Sequence, residues 1–549
     1  MSGSQQPRRL ALLGLMTSSG VLLGLSFPPS PLYTLAYVGF IPLLMLLEQL
    51  SRSAQVFRYS YGAMMIFHLI TLYWVGGFTH GNDPYLMVSG VALVFGHPLF
   101  FTVPLLLYHW AKKHLGQTTS LVLFPFLWTA FEYSRTLSEF AFPWVTIGNS
   151  QAYDLTRIQI AEFTSVYGVS ALLVAFNVLG FLWLQRLAGS SWTFKSKPSL
   201  LTLGAMVLLY VLPWMYGAQK MNESISIDSS SQVRAGIVQP NIDPWEKWGE
   251  KGPSRWISYN RQFTTYVTET EEFEGDSLDL VVWPETALPF DPTIVGNGQY
   301  LQALQSLARR LDLSVFSGMP SYVPRNDRKD STARPYLVYN AARLISPDSV
   351  YASYKKVVLV PFAERVPYAE ELSFLVEPLR WGVGISGWDK GRDATVYPLR
   401  TTSGATTAFG GMVCYESIFP WYVRQFVLGG AEFLVIITND SWWGKTSGAY
   451  QHAAYASFRA IELRRWIVRS ANGGISGFVD PQGRFVQETA LYTQARLVGR
   501  IQPERGLTFY ARHGDVFAQV CSAVSGALLL LMMFRMIRRK GTRGSTTDN

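Results

Sequence analysis

Three short segments of this chain end apolar runs with groups able to move a proton or attack a carbonyl. The first is Val282-Trp283-Pro284-Glu285. The second is Tyr354-Lys355-Lys356, followed by Pro361-Phe362-Ala363-Glu364. The third is Gly411-Met412-Val413-Cys414-Tyr415-Glu416. Taken singly, each has an ordinary reading: a solvated turn glutamate, a surface lysine pair, a small buried hydrophobe. Together they supply a nucleophile, a base and a cation. A free thiol has a pKa of about 8.5, so only a few per cent is thiolate at neutral pH. A neighbouring carboxylate takes its proton, and an ammonium stabilises both the thiolate and a tetrahedral oxyanion. A Glu–Lys–Cys set is therefore an acyl-transfer site without histidine. Cys414 stands where a strand passes into a helix, a turn that exposes a nucleophile among backbone N–H groups. His68, His80, His97, His109 and His114 lie in or beside apolar spans. Only His452 and His513 lie in or near the region that carries Cys414, so a Cys–His dyad is the secondary reading.

The elements that must position these groups occupy residues 232–505, where strand-like apolar runs alternate with helical stretches. Strands are expected at 234–239, 278–283, 313–317, 336–345, 349–355, 409–413, 433–438, 475–480 and 495–501. Helices are expected near 297–311, with Leu301, Leu304, Leu307 and Leu311 on one face, and at 418–428 and 449–466. This alternation argues α/β layering. No GxGxxG follows a strand and no Walker A motif occurs, so nucleotide binding has no support.

The rest of the chain has a different character. Of 549 residues, 48% are apolar and 15% charged, well below the roughly 25% charged of a soluble domain. Residues 1–217 hold 17 charged side chains, against 68 on the remaining 332. A membrane span needs about 20 mostly apolar residues. Eight such segments are expected, at 10–28, 31–49, 58–78, 85–109, 118–134, 161–185, 198–217 and 515–535. With the N-terminus inside, the inner connections and tail carry 14 Lys and Arg residues. The short outer connections carry two, Arg135 and Arg157. That bias puts both termini in the cytoplasm and residues 218–514 outside. The net charge of +9 follows this distribution rather than a nucleic-acid-binding stripe. Cys521 falls in an apolar span, so a disulfide with Cys414 is not expected. The outer connection 136–159, with Phe140-Ala141-Phe142-Pro143-Trp144 and Gly148-Asn149, reads as an aromatic interface belt with a proline turn. The other reading is a membrane-dipping segment that shapes a lipid entry.

At the three chemical segments the sequence resembles the nitrilase, or carbon–nitrogen hydrolase, superfamily. The resemblance implies a four-layer α-β-β-α sandwich with Glu285 as general base, Lys356 as the cation and Cys414 as the nucleophile. Lys355 competes for the lysine role, but the spacing to Pro361-Phe362 favours Lys356. Further matches are residues 439–444 (Asn-Asp-Ser-Trp-Trp-Gly), Gln451-His452 and Arg459-Ala460-x-Glu462. Seven spans, an outer nitrilase-like domain and a closing span resemble the apolipoprotein N-acyltransferase family, over nearly the whole chain. Val238-Gln239-Pro240-Asn241-Ile242 with Trp248 after it, and Asn472-Gly473-Gly474-Ile475, agree with that resemblance. It implies supporting roles for Glu364, Tyr415, Glu416, Trp248 and Trp442. It implies the domains 1–217 (membrane), 218–510 (periplasmic catalytic) and 511–549 (closing span and basic tail). It also implies a bacterial inner-membrane location. Two departures are Ala363, where the family has glycine, and Trp443, where it has phenylalanine.

The activity so implied moves a fatty acyl chain from a phospholipid to the amino group of an S-diacylglyceryl cysteine, by two acyl transfers through a Cys414 thioester. Its partners are a phospholipid donor, a diacylglyceryl apolipoprotein acceptor and membrane lipids. Nucleic acid, metal and organic cofactor are not indicated. Phe374, Leu375, Val376, Leu379 and Trp381, with Gly382 and Gly384, read equally as a membrane-touching lid or as loop packing. A membrane-tethered amidase using the same triad is the alternative activity. A non-catalytic sensor or transporter fits less well, because the nearly uncharged spans offer no ion pathway.

Overall fold

A computed structural model describes residues 5–77, 83–189, 191, 193–248, 256–325, 335–371 and 387–544. The expected lid at 374–381 lies outside these residues. Seven helices come first: α1 (Gln5–Leu25), α2 (Phe40–Glu48), α3 (Ser53–Leu72), α4 (Pro84–Leu115), α5 (Gln117–Ser134), α6 (Ala161–Ala188) and α7 (Lys197–Asn222). Helices thus stand at every expected span position before residue 218. Among the described residues, five helical stretches are long and apolar enough to cross a membrane: Arg8–Leu25, Leu86–Leu115, Arg157–Ala188, Lys197–Asn222 and Val516–Ile537. Tyr33–Glu48 is apolar but shorter. In α3 and α5, polar residues such as Arg58, His68 and Glu132 dilute the apolar run.

The connection 136–159 departs from the expected interface belt. It folds into three short 3-10 turns, Pro143–Val145, Ile147–Gln151 and Arg157–Ile160, and buries Trp144, Val145, Ile147 and Asn149. The Trp144 indole N–H donates to Gln451 Oε1 at 2.7 Å, so its polar edge is satisfied by protein rather than by headgroups.

The second region is built on two six-stranded mixed sheets. One runs β12 (Ala495–Ile501), β1 (Val233–Gln239), β2 (Leu280–Val282), β3 (Ser314–Pro324), β4 (Tyr336–Ile345), β5 (Tyr354–Lys355). The other runs β11 (Phe485–Glu488), β10 (Gly477–Val479), β9 (Ile467–Ala471), β8 (Phe433–Thr438), β7 (Thr406–Val413), β6 (Val396–Arg400). In each sheet the three central strands, β1–β2–β3 and β7–β8–β9, are parallel and the outer ones antiparallel. Alternation along the strands divides the core. Ile237, Val282 and Phe316 face the inner core with Phe409, whose ring lies 5.2 Å from that of Phe316. Val238, Val281 and Val315 face α9 (Tyr259–Glu271) and α10 (Gly298–Leu311). The second sheet carries α11 (Pro420–Leu428) and α12 (Ser447–Leu463). This is the α-β-β-α sandwich. A short turn α8 (Pro244–Lys247), α13 (Phe509–His513) and the final helix α14 (Val516–Gly544) complete the chain.

Two strand and helix expectations change, and three strands are additional. The strand at 349–355 shrinks to Tyr354–Lys355. The Tyr354 N–H goes to the Tyr397 hydroxyl at 2.7 Å, and the Lys356 N–H closes on the Asn340 carbonyl at 2.8 Å. The helix at 449–466 stops at Leu463, where Arg464 takes a left-handed φ of 48°. The strand Ile467–Ala471 follows and was not expected. Strands Val396–Arg400 and Phe485–Glu488 are additional.

The two regions are fastened by α12 against α6. Helix α6 is broken at Ser165 (φ 57°, ψ −168°). The Glu462 carboxylate accepts there from Ser165 Oγ at 2.7 Å and Val166 N at 3.1 Å, and from Arg459 at 2.7 Å. Gln451 accepts from the indoles of Trp74 and Trp144 and donates to the carbonyls of Pro28 and Thr71.

Candidate active site

The three chemical segments converge between the two sheets. The chain leaves β2 through Trp283-Pro284-Glu285 and turns at Thr286, whose φ is 46°. β3 crosses this turn at Gly318, where a Cβ would stand 2.5 Å from Thr286 N, so only glycine fits. Lys356 follows directly on β5. Cys414 follows directly on β7, at the head of the 3-10 turn Cys414–Ile418, with a left-handed φ of 52°. Such a backbone costs about 1–2 kcal/mol for a non-glycine residue, so something must hold it. Glu416 does. Its carboxylate accepts from Val413 N at 2.9 Å, Val357 N at 2.6 Å, Val358 N at 3.0 Å and the Tyr354 hydroxyl at 2.5 Å. One side chain thereby ties the turn before the thiol to the backbone after Lys356. Burial pushes its acid up to about 7, against the pull of Lys356 and these donors.

Lys356 is 1% exposed and lies between two carboxylates, 2.9 Å from Glu364 Oε1 and 3.4 Å from Glu285 Oε1. Burial alone would push its ammonium down, but Glu364 and Glu285 overcome that and hold it above the ordinary lysine range. Lys355 points elsewhere, its ammonium 4.7 Å over the Tyr339 ring. Asn340 bridges the same two acids, donating to Glu285 Oε1 at 2.8 Å and Glu364 Oε1 at 3.0 Å. The Asn439 N–H holds Glu285 Oε2 at 3.0 Å, and the Val360 N–H holds Glu364 Oε2 at 2.9 Å. The Cys414 thiol is 9% exposed. Burial, and then the charge of Glu285, push it well above its ordinary value, while Lys356 pulls the other way. The resting sulfur is therefore a thiol, and a base must take its proton when it reacts.

Two residues outside the expected set belong to this arrangement. Asn340 was hidden in the apolar run of β4, where its one signal is an amide on a buried strand. Lys247 is fully buried; its Nζ donates to Thr286 Oγ1 at 3.2 Å and approaches the Glu285 carbonyl at 3.5 Å. Burial pushes it down to about 7, with Glu285 opposing. Ala363 does not disturb the loop: the left-handed residue is Phe362, with φ 64°.

His452 reaches the Cys414 carbonyl oxygen, with Nε2 at 3.2 Å, and Ser417 Oγ at 2.9 Å. Its Nδ1 pairs with Asp440 at 2.7 Å, and Asp440 also takes Arg469 at 2.8 Å. Burial would raise the Asp440 acid, but His452 and Arg469 hold it below the usual carboxylate range. Among the described residues, Cys414, Asp440 and His452 alone bring metal-ligating atoms together, all within 4.8 Å. His452 and Asp440 already spend those atoms on each other, so the cluster reads as a brace for the Cys414 turn. His513 packs on Phe509 at 4.4 Å.

Tyr415 turns toward the helical region. Its hydroxyl donates to the Ala141 carbonyl at 2.8 Å, and its ring stacks on Phe142 and Trp144. Trp442 packs edge-on against Trp245 of α8 at 5.3 Å. Trp248, just past α8, is half-buried, and its indole N–H has no acceptor among the described residues. Beside the site, a cavity of about 360 Å³ opens between the 136–141 segment and the 357–368 loop, with Phe419 and Trp421 on its wall.

Comparison with known proteins finds matches for both regions of the chain. Residues 19–179 match the apolipoprotein N-acyltransferase N-terminal domain, and residues 234–506 match the carbon-nitrogen hydrolase family. The chain is 37% identical to an apolipoprotein N-acyltransferase of Chlorobaculum tepidum over 94% of this chain and 96% of that one. It is 33% identical to one of Geobacter metallireducens over 96% of each. It is 27% identical to one of Azotobacter vinelandii over 97% of this chain and 96% of that one. A thiol, two carboxylates and a lysine gathered in a carbon-nitrogen hydrolase sandwich, carried on a bundle of apolar helices and matched end to end by these relatives, lead to one conclusion: the chain belongs to the apolipoprotein N-acyltransferase family.

Proposed function

We propose that this protein transfers a fatty acyl chain from a phospholipid to the amino group of the S-diacylglyceryl cysteine at a lipoprotein N-terminus. The transfer runs by a ping-pong route through a thioester on Cys414. Glu285 takes the thiol proton, and the sulfur attacks the ester carbonyl carbon. Lys356 and backbone N–H groups stabilise the oxyanion. The C–O bond breaks, the leaving alkoxide takes the proton from Glu285, and lysophospholipid departs. The amine then attacks the thioester and gives its proton to Glu285. The C–S bond breaks, and the amide product leaves as Cys414 recovers its proton. Glu364 and Asn340 position Lys356, Glu416 positions the Cys414 turn, and Trp248 and Trp442 line the approach.

The observation that carries this reading is the Cys414–Tyr415 junction. The nucleophile is buried beside Glu285 and Lys356, and the next residue is bonded to a segment of the helical region. A water-soluble amide substrate would give no reason for that seating; two lipid substrates do. The same reading assigns eight spans, both termini to the cytoplasm, the domains 1–217, 218–510 and 511–549, and the catalytic domain to the periplasmic side of the inner membrane. The bias of 14 inner to two outer basic residues supports this topology.

The test is the half-reaction. Purified protein is incubated with phospholipid alone, and its intact mass and labelled residue are measured. An added mass of one acyl chain, on Cys414 and removed by hydroxylamine, is expected. No adduct, with the lipid unconsumed, would turn the assignment to an amidase or to a site without this chemistry.

A further inference from the structure

Arg135 closes α5 on the side of the helical region that meets the sandwich. Its guanidinium is half-buried, yet among the described residues no carboxylate pairs with it. One of its N–H groups donates to His97 Nε2, and its carbon lies 4.7 Å over the Phe100 ring. Of the acids in its neighbourhood, Glu132 uses only Oε1, its Oε2 having no hydrogen-bond partner among the described residues, and Glu139 is engaged elsewhere. Glu132 accepts from Trp128 Nε1 at 2.9 Å and Ile147 N at 2.8 Å. Glu139 takes the Tyr368 N–H at 2.7 Å and Lys390 at 3.2 Å.

The hydrogen bonds behind Arg135 fix its charge without cancelling it. Arginine only donates, so His97 Nε2 accepts. The proton of that ring therefore sits on Nδ1 and goes to His68 Nε2 at 2.7 Å. His68 in turn carries its proton on Nδ1 and donates to the Met64 carbonyl at 2.7 Å. Two neutral imidazoles thus anchor the cation without adding a counter-charge. The carbonyl end of α5 offsets a fraction of the charge but is no counter-ion. A half-exposed guanidinium whose described partners are neutral has donors left over for an anionic ligand.

The position says which ligand. Tyr415, one residue from the nucleophile, stacks on Phe142 at 6.2 Å; Phe142 packs edge-on against His97 at 5.3 Å, and His97 holds Arg135. Phe100 beneath the guanidinium is 50% exposed, an apolar floor for an acyl chain. Of the two proposed substrates, the lipoprotein end brings an ammonium and two neutral esters to the site. The phospholipid brings a phosphodiester, joined to its reacting ester through glycerol. Guanidinium matches that group by two parallel hydrogen bonds.

We infer that Arg135 is the phosphodiester subsite for the acyl donor, on the helical side of the active site, and that it selects phospholipid over phosphate-free lipid esters. This rests on the acyl-transfer reading above, but its test does not need the chemistry. In full-length Cys414→Ser protein in detergent, the affinities for a short-chain phosphatidylcholine and the matching diacylglycerol are measured with and without Arg135→Gln. The ratio of the two affinities is expected to fall roughly tenfold to a hundredfold in the Arg135 variant, the loss of a hydrogen-bonded charge pair. Equal weakening toward both lipids, or no change in either, would overturn the assignment. Inorganic phosphate alone is the third probe. Weak binding with little Arg135 dependence is expected; binding as tight as the lipid's and lost in the same variant would assign the site to free anions and overturn the donor role. Failure of the acyl-transfer reading shows separately, as absence of the Cys414 adduct in the wild-type protein.

Discussion

Two cation sites, a fully buried one at Lys356 in the sandwich and a half-buried one at Arg135 in the helical region, are built on opposite principles. Around Lys356 the charge is balanced internally: two carboxylates flank the ammonium, and Asn340 ties those acids together. Around Arg135 the partners are an imidazole and an aromatic face, both neutral. The first arrangement is preorganised. Its dipoles and charges stand where an oxyanion will form and need no reorganisation when it does. The second is left open, as suits a group that must bind and release a charged ligand. Lys247 falls between them, a buried ammonium whose acceptors are a hydroxyl and a carbonyl.

Breaking the balanced site has the largest expected effect. Lys356→Met leaves Glu285 and Glu364 buried with no cation between them. It is expected to cost about 3–5 kcal/mol of stability and to remove the Cys414 acyl adduct. Unfolding midpoints in detergent and intact mass read the two effects. A stable, acylated variant would show that the two acids do not depend on Lys356.

Lys247 sharpens the comparison through pH. Its folded-state pKa of about 7 lies below the roughly 10.4 of an unfolded lysine. Between those values the unfolded chain binds more protons, so stability rises with pH from about 7 to 10 and is lost as pH falls back to 7. The unfolding midpoint of Lys247→Met is expected to be flatter across that window than that of the wild type. Equal slopes would mean that the buried ammonium is paired in solution.

Arg135→Gln is the counterpart on the open side. Glutamine keeps an N–H for His97, and no buried anion is stranded, so the stability change is expected to stay within about 1 kcal/mol. A loss as large as that of Lys356→Met would mean that Arg135 holds an internal anion, and the contrast would fail. The smallest effect is expected at the family departure. Ala363 does not carry the left-handed φ of its loop, so Ala363→Gly is expected to cost about 0.5–1 kcal/mol through backbone entropy alone, with acylation intact. A gain in stability would show strain at Ala363 after all.

The segments that carry Glu285, Lys356 and Cys414 were legible because each is an apolar run ended by an ionisable residue, and runs of that kind become buried strands. The choice of Lys356 over Lys355 came with the family resemblance, through the spacing to Pro361-Phe362. β9 was not: Arg469 stands at its centre and Arg465 just before it, two charges that break the apolar pattern, and both are buried and bonded to carbonyls or to Asp440. The connection 136–159 misled for the converse reason. Aromatic residues beside a span read as an interface belt, and whether an indole N–H meets lipid or Gln451 depends on a residue about 300 positions away.

Composition and spacing by themselves therefore determined that apolar helices precede a layered α/β region and that Glu285, Lys356 and Cys414 stand at the ends of apolar runs, because burial patterns and strand ends are local properties; the family resemblance implied that the three act as one set. Tertiary structure alone decided what surrounds those side chains. Asn340 between two acids, Glu416 tying the Cys414 turn to the Lys356 loop and Glu462 closing the break in α6 are pairings between distant parts of the chain. The energy of a buried charge depends on its neighbours in space, which residue order does not specify.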